Sequence, residues 1–249
     1  MKRTKKLFVR TTLLIFLILP VLAFGHLLIL PQQTYSLLIH FSSFQKEGKL
    51  YFSPQTAMTT RTEVSGLVIE ARKRDELFWG KLESNPTFIY CDDTKSFEKY
   101  AHTGAPAVTH MTEFGSYIVI SRDGEDVDVI SHEWQHAELL KRIGFLNWAL
   151  KIPSWFDEGL AMQTDQRPYY SIDSLKEKTN GFQNLMNIKN IRKGRDLGML
   201  TKEQILLFFS TAKYELKQWN PEKRLSTFIS IINDGGSFEE AWSQKNIRK

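Results

Sequence analysis

The apolar positions of this chain change period several times, and each change marks an element. From Thr11 to Leu30 the run TTLLIFLILPVLAFGHLLIL carries no formal charge, and at twenty residues it has about the length of a helix that crosses a hydrocarbon core. Residues 32–60 are mixed, with short aromatic pieces such as Leu50–Tyr51–Phe52 broken by Pro54, and read as an irregular lead-in. Between Thr62 and Leu82 the apolar residues Val64, Leu67, Val68, Ala71, Leu77 and Phe78 recur at helical spacing, which predicts an amphipathic helix. Three short apolar runs follow, Thr87 to Cys91, Ala107 to Met111 and Ser116 to Ser121, and together they predict a small mixed sheet.

The second half reads as helical. After Arg122–Asp123–Gly124–Glu125 a helix should start near Asp126 and run to Arg142, with acidic Asp126 and Asp128 early, Lys141 and Arg142 late, and Gly144 as its stop. Pro153 and Ser154 open another through about Thr164, Ser154 serving as N-cap with Asp157 three residues on. The tail predicts three more: Lys202 to Gln218, begun by Thr201 with Gln204; Pro221 to Asn233, closed by Gly235 and Gly236; and Phe238 to Ser243 after Ser237.

Charge sharpens the picture at the N-terminus. The formal net charge of +5 comes from Lys2, Arg3, Lys5, Lys6 and Arg10, because the other basic residues balance the 28 acidic ones. A neutral remainder offers no polyanion-binding face, so nucleic acid is excluded as a partner. A basic start before an apolar run fits a membrane anchor over residues 11–31 or a signal peptide cleaved after Gly25; apolar residues continuing to Leu30 favour the anchor. Positive charge stays inside, so either reading makes residues 1–10 a cytoplasmic tail and places the chain from about residue 32 outside the cytoplasm, on the cell membrane or exported. Cys91 is the single cysteine, so no intramolecular disulfide braces the domain, and its place in an apolar run makes it a small core residue.

Candidate chemistry sits on the best-marked helix. In His132–Glu133–Trp134–Gln135–His136 the two histidines, four apart, share one helical face and can reach one metal ion, with Glu133 beside them. A catalytic zinc takes three protein ligands, keeps one position open, and lowers the pKa of water to about 7, while a carboxylate removes the proton. A third ligand six residues after the second histidine is excluded, since Arg142 stands there and Leu139 occupies the expected glycine position. Trp155–Phe156–Asp157–Glu158–Gly159–Leu160–Ala161 instead offers Glu158 from a following helix.

Ser131–His132–Glu133–Trp134–Gln135–His136 followed by Pro153–Ser154–Trp155–Phe156–Asp157–Glu158–Gly159–Leu160–Ala161 resembles the Peptidase MA-like gluzincin family. The likeness extends weakly over Thr87 to Trp242, with Gly115 to Ser121 similar to the edge strand before the metal helix of such enzymes and Gly235 to Trp242 similar to their closing helix. It implies Zn2+ held by His132, His136 and Glu158, with Glu133 as catalytic base, the same set reached by spacing. Gluzincins also place a Tyr or His against the oxyanion. No His follows Glu158, so Tyr169 and Tyr170 are the candidates, with Tyr214 further off.

Asp165 is a candidate partner for a ligating imidazole; Glu138 and Asp157 should point away from the metal by helix phase, and His26, His40, His102 and His110 lack ligand spacing. The expectation is an α+β, thermolysin-like gluzincin domain over residues 61–249, with a small mixed sheet and a helical C-terminal part, preceded by a transmembrane helix and a juxtamembrane lead-in. It would hydrolyse peptide bonds in a peptide or protein substrate, which could pair with the Ser116 to Ser121 strand. The alternatives are a non-catalytic binding module on the same fold and a zinc hydrolase of non-peptide substrates. The sequence leaves the oligomeric state open.

Overall fold

The computed structural model describes residues 25–244. Residues 25–29 are helical, and helix α1 (Pro31–Leu37) follows at once. The expected membrane-crossing helix is corrected here: no helix among the described residues is long and apolar enough to cross a membrane. Leu30 leaves helical geometry at φ −131° and ψ 59°, and Pro31 begins a new helix, so the helix of residues 25–29 stops where the apolar run ends. The expected single-pass placement on a membrane called for such a helix and is corrected with it. The basic stretch 1–10 and residues 11–24 of the expected span lie outside the described residues.

Beyond α1 the chain enters the sheet. Strand β1 (Gln45–Glu47) turns at Gly48, where φ is +61°, into β2 (Leu50–Phe52). Thus residues 45–52, read from the sequence as lead-in, build two strands. Helix α2 (Met58–Trp79) then crosses to β3 (Thr87–Cys91), which pairs parallel with β2. Helix α3 (Thr94–Tyr100), capped by Asp93 accepting from Ser96 N, leads to the hairpin of β4 (Ala107–Thr112) and β5 (Gly115–Ser121).

The sheet order is β1-β2-β3-β5-β4, with β5 parallel to β3 and antiparallel to β4. The expected edge strand is therefore interior: β5 is hydrogen-bonded on both sides, and β4 forms the edge. The composition agrees, since Ile118, Val119 and Ile120 are all 0% exposed, as a strand covered on both faces requires. Strand β4 instead interleaves Thr109, His110 and Thr112 with its apolar residues.

Helix α4 (Val127–Ile143) lies between two cores. Its Ile130, Trp134 and Ala137 join Phe88, Tyr90, Ile118, Ile120 and the Val64–Val68–Ala71 face of α2. Its Leu139 and Ile143 join a second core built by helices α6 (Ser154–Ala161), α9 (Lys202–Trp219), α10 (Pro221–Asn233) and α11 (Phe238–Ser243). The short helices α5 (Phe145–Lys151), α7 (Ile172–Lys178) and α8 (Gly194–Leu197) fill the connections. The far face of the sheet is covered by Ile39, Phe97, Tyr100 and Ala101 over Ile89, Cys91 and Val119.

The expected signals terminate α4: Asp126 accepts from Asp128 N at its start, and Gly144 at φ 79° ends it. Ser154, expected as N-cap, is instead the first residue of α6, with Pro153 in the capping position and no side-chain cap.

Candidate metal centre

A helix covered on both sides must satisfy every polar side chain it carries, since an unpaired buried polar group costs about 1–3 kcal/mol. Helix α4 buries Ser131, His132, Glu133, Gln135, His136 and Glu138. Ser131 and Gln135 donate to Asp75 of α2 at 2.5 and 2.8 Å, and Gln135 accepts from the Trp79 indole at 2.6 Å. Glu138 points away from the histidines; it accepts from the main-chain N–H groups of Glu83 and Ser84 and from Arg142. The Glu133 carboxylate accepts from the Thr109 hydroxyl of β4 at 2.7 Å.

The two histidines turn to the C-terminal side, where α6 crosses α4. His132 Nε2 and His136 Nε2 are 3.3 Å apart, and Glu158 Oε2 stands 3.3 Å from the first and 3.5 Å from the second. Bonds of about 2.0–2.1 Å at tetrahedral angles place neighbouring ligand atoms about 3.3–3.4 Å apart, so this triangle has the size of one face of a zinc-type tetrahedron. His132, His136 and Glu158 thus form a group that could bind a metal ion.

Electrostatics within the triangle point the same way. Burial pulls the His136 imidazole down, but the Asp157 and Glu158 carboxylates outweigh it and hold the ring well above its ordinary pKa. Burial pushes the Glu158 carboxyl up, and the His136 and His132 imidazoles overcome that and hold it far below the usual carboxylate range. The cluster favours a cation at its centre.

Asp157 was expected to point away, and the structure corrects this. Its Oδ1 lies 3.1 Å from His136 Nδ1, the nitrogen opposite the metal-facing Nε2, while its Oδ2 accepts from the Trp148 indole at 3.0 Å. The Nδ1 pair is at contact distance but out of line, leaving both atoms without a formed hydrogen bond. His132 Nδ1 is also buried without a partner. Asp165 does not reach either histidine; its carboxylate binds Arg167 in a two-pronged pair.

The candidate tyrosines separate. Tyr170 is buried and packs edge-to-face on Phe209, which packs on the His132 ring at 6.0 Å. Burial pushes its phenol up to about 12, Arg167 opposes this, and the Glu158 charge adds to it, so the hydroxyl remains a donor within the field of the triangle. Tyr169 is 45% exposed and leans on Tyr170 and Arg167 without reaching the site. Tyr214 stacks on Phe182.

Three neighbours had no sequence signal of their own. Thr109 is one hydroxyl on a strand, Phe209 one aromatic residue on a long helix, and Asp75 one acid on a charged helix. Compared with known families and curated proteins, the sequence matches no family model and no curated protein.

Proposed function

We propose that this chain is a zinc-dependent hydrolase of the gluzincin type that cleaves peptide bonds. The observation that supports this most is the triangle of His132 Nε2, His136 Nε2 and Glu158 Oε2 at 3.3–3.5 Å, with the Glu133 carboxylate on the adjoining turn. A hard or soft ion is chosen by its donors, and two imidazoles with one carboxylate are the donor set of hydrolytic zinc sites. Zinc bound there would act as a Lewis acid on a carbonyl oxygen and bring the pKa of water down to about 7.

The chain's own residues carry the remaining roles. His132, His136 and Glu158 hold the ion. Glu133 takes a proton from the attacking water and delivers it to the leaving amine. Asp157, itself held by Trp148, orients the His136 ring from the far side. Tyr170 is the group best placed to donate to an oxyanion, ahead of Tyr169. An extended peptide would add to β4, the edge strand whose Thr109 touches Glu133, rather than to β5.

The test is elemental analysis of the purified full chain together with cleavage of an unbiased peptide library. About one zinc per chain and cleavage that disappears in Glu133→Gln while zinc stays bound are expected. Zinc without peptide cleavage would move the reading to another substrate or to a binding module. No bound metal, or unchanged turnover in Glu133→Gln, would overturn it.

A further inference from the structure

Among the described residues, Thr109 is the sheet residue whose side chain hydrogen-bonds the acid expected to move the proton. Its hydroxyl lies 2.7 Å from Glu133 Oε2 and also 2.9 Å from the main-chain oxygen of Glu133. A threonine hydroxyl has one proton to donate and lone pairs to accept with. Two acceptor oxygens of a single residue therefore surround a group that can satisfy only one of them at a time. A buried hydroxyl in need of a partner accounts for one such contact, and the main-chain oxygen alone would supply it. The second contact, to the carboxylate, is the shorter one.

From this geometry we infer that Thr109 is a positioning residue for Glu133, its hydroxyl fixing the carboxylate by donating to Oε2. The inference rests on the reading of Glu133 as the base. While Glu133 is anionic, the Thr109 O–H donates to Oε2 and leaves Oε1 for the proton that arrives. With that proton on Oε1, Oε2 is still an acceptor, so the Thr109 O–H keeps donating to it and the carboxyl group stays in place. No proton leaves Thr109 and none is gained; the proton taken from water remains on Glu133 until the leaving amine receives it.

Placement supports the assignment. Thr109 is buried on β4, and Ile118 opposite it on β5 belongs to the core beneath α4, so strand and helix are fixed against each other. The next residue, His110, turns to the other face, where its Nε2 lies 2.6 Å from the Tyr100 main-chain oxygen, and burial holds it below its ordinary pKa against the Tyr100 carbonyl and the charge of Glu133. The strand thus offers Glu133 a neutral hydroxyl without a competing charge in contact.

The experiment compares Thr109→Val, which keeps the shape without the hydroxyl, with Thr109→Ser, which keeps the hydroxyl. Both are made in the full chain, loaded with zinc, and assayed with the peptide library that the wild type cleaves. Thr109→Val should lower kcat about 10- to 100-fold with KM within about twofold, and Thr109→Ser should recover to within about threefold of wild type. Zinc stoichiometry and the visible spectrum of the cobalt-substituted protein should match wild type in both. Infrared spectra of the metal-free proteins supply a readout without turnover: the Glu133 carboxylate stretch, identified by its loss in Glu133→Gln, should shift in Thr109→Val and return in Thr109→Ser.

Wild-type kcat in Thr109→Val beside an inactive Glu133→Gln would sink the positioning role and leave the base standing. Equal defects in the valine and serine variants, or loss of zinc or of the fold in Thr109→Val, would reduce Thr109 to a packing residue. Full turnover in Glu133→Gln would remove the base, and the positioning role with it.

Discussion

His136 is gripped from both ends. Glu158 faces its Nε2 and Asp157 its Nδ1, although the two acids are neighbours in sequence and lie about 100° apart on one helix. Helix phase argued that only one of them could serve the site. That argument treats an imidazole as a point, whereas its nitrogens sit on opposite sides of a ring wide enough to meet two successive residues. The consequence is a graded pair of variants. Glu158→Gln removes an anionic ligand and should abolish tight zinc binding. Asp157→Asn keeps the ligands but weakens the hold on the ring, and outer partners of this kind are worth about 10- to 100-fold in metal affinity. Competition with a chelating dye measures both; Asp157→Asn at wild-type affinity would reduce the acid to a partner of Trp148.

At the scale of elements, α4 was legible because its ends are written in chemistry that acts locally: Asp126 as cap, Lys141 and Arg142 in the last turn, Gly144 where φ turns positive. Thr201 with Gln204 marked α9 in the same way, and Ser237 marked the start of α11, where the structure adds Glu240 as its reciprocal partner. Sheet order was not legible from such signals, since register and neighbours depend on distant segments. Still, the unbroken Ile118–Val119–Ile120 run carried the mark of an interior strand, and the polar Thr109, His110 and Thr112 that of an edge. Strands β1 and β2 are three residues each, too short for a period to register.

The packing of α6 on α9 was equally out of reach, yet it decides where Glu158 points. A Cβ on Gly159 would lie 2.7 Å from Leu216 Cδ2 and 2.8 Å from the Ala212 main-chain oxygen, so only glycine lets these helices approach. Gly159→Ala should therefore destabilise the protein by about 1–3 kcal/mol and push Glu158 off the triangle. Thermal unfolding and zinc titration check both halves, and a variant as stable as wild type would show that the crossing has slack.

For the whole molecule, the metal triangle is the place where the sheet-side core and the C-terminal helical core are joined by polar groups, and Asp75 is a second such joint behind it. Asp75 is fully buried, and burial pushes its carboxyl up to about 7 against the opposing hydrogen bonds of Ser131, Gln135 and Thr164 and the charge of Arg74. An acid raised in the folded state binds more protons there than in the unfolded chain between pH 4 and 7. Stability is then fully present at the acid end of that window and declines as pH rises through it, by about 3–4 kcal/mol from this group. Asp75→Asn keeps the acceptor used by Ser131 and Gln135 and cannot ionise, so its stability should be flatter from pH 4 to 7 and exceed wild type at pH 8. Identical slopes in denaturant titrations of the two proteins would show that Asp75 is not the group responsible.

Metal binding at the triangle would depend on pH with the opposite sign, and its ligands come from α4 and α6 and are assembled only in the folded chain. Zinc at about 100 times its dissociation constant should then add about 2.7 kcal/mol to stability. For a domain of this size that corresponds to a rise in Tm of about 5–10 °C. The rise should persist in Glu133→Gln, whose ligands are intact, and vanish in Glu158→Gln. His136, held charged by its two acids, must release its proton when the ion enters, so the rise should shrink as pH falls. Calorimetric scans with zinc and with a chelator, at two pH values, measure each of these. A rise of equal size in Glu158→Gln would show that the ion sits elsewhere, and the triangle would then be a buried ion pair joining two helices rather than a metal centre.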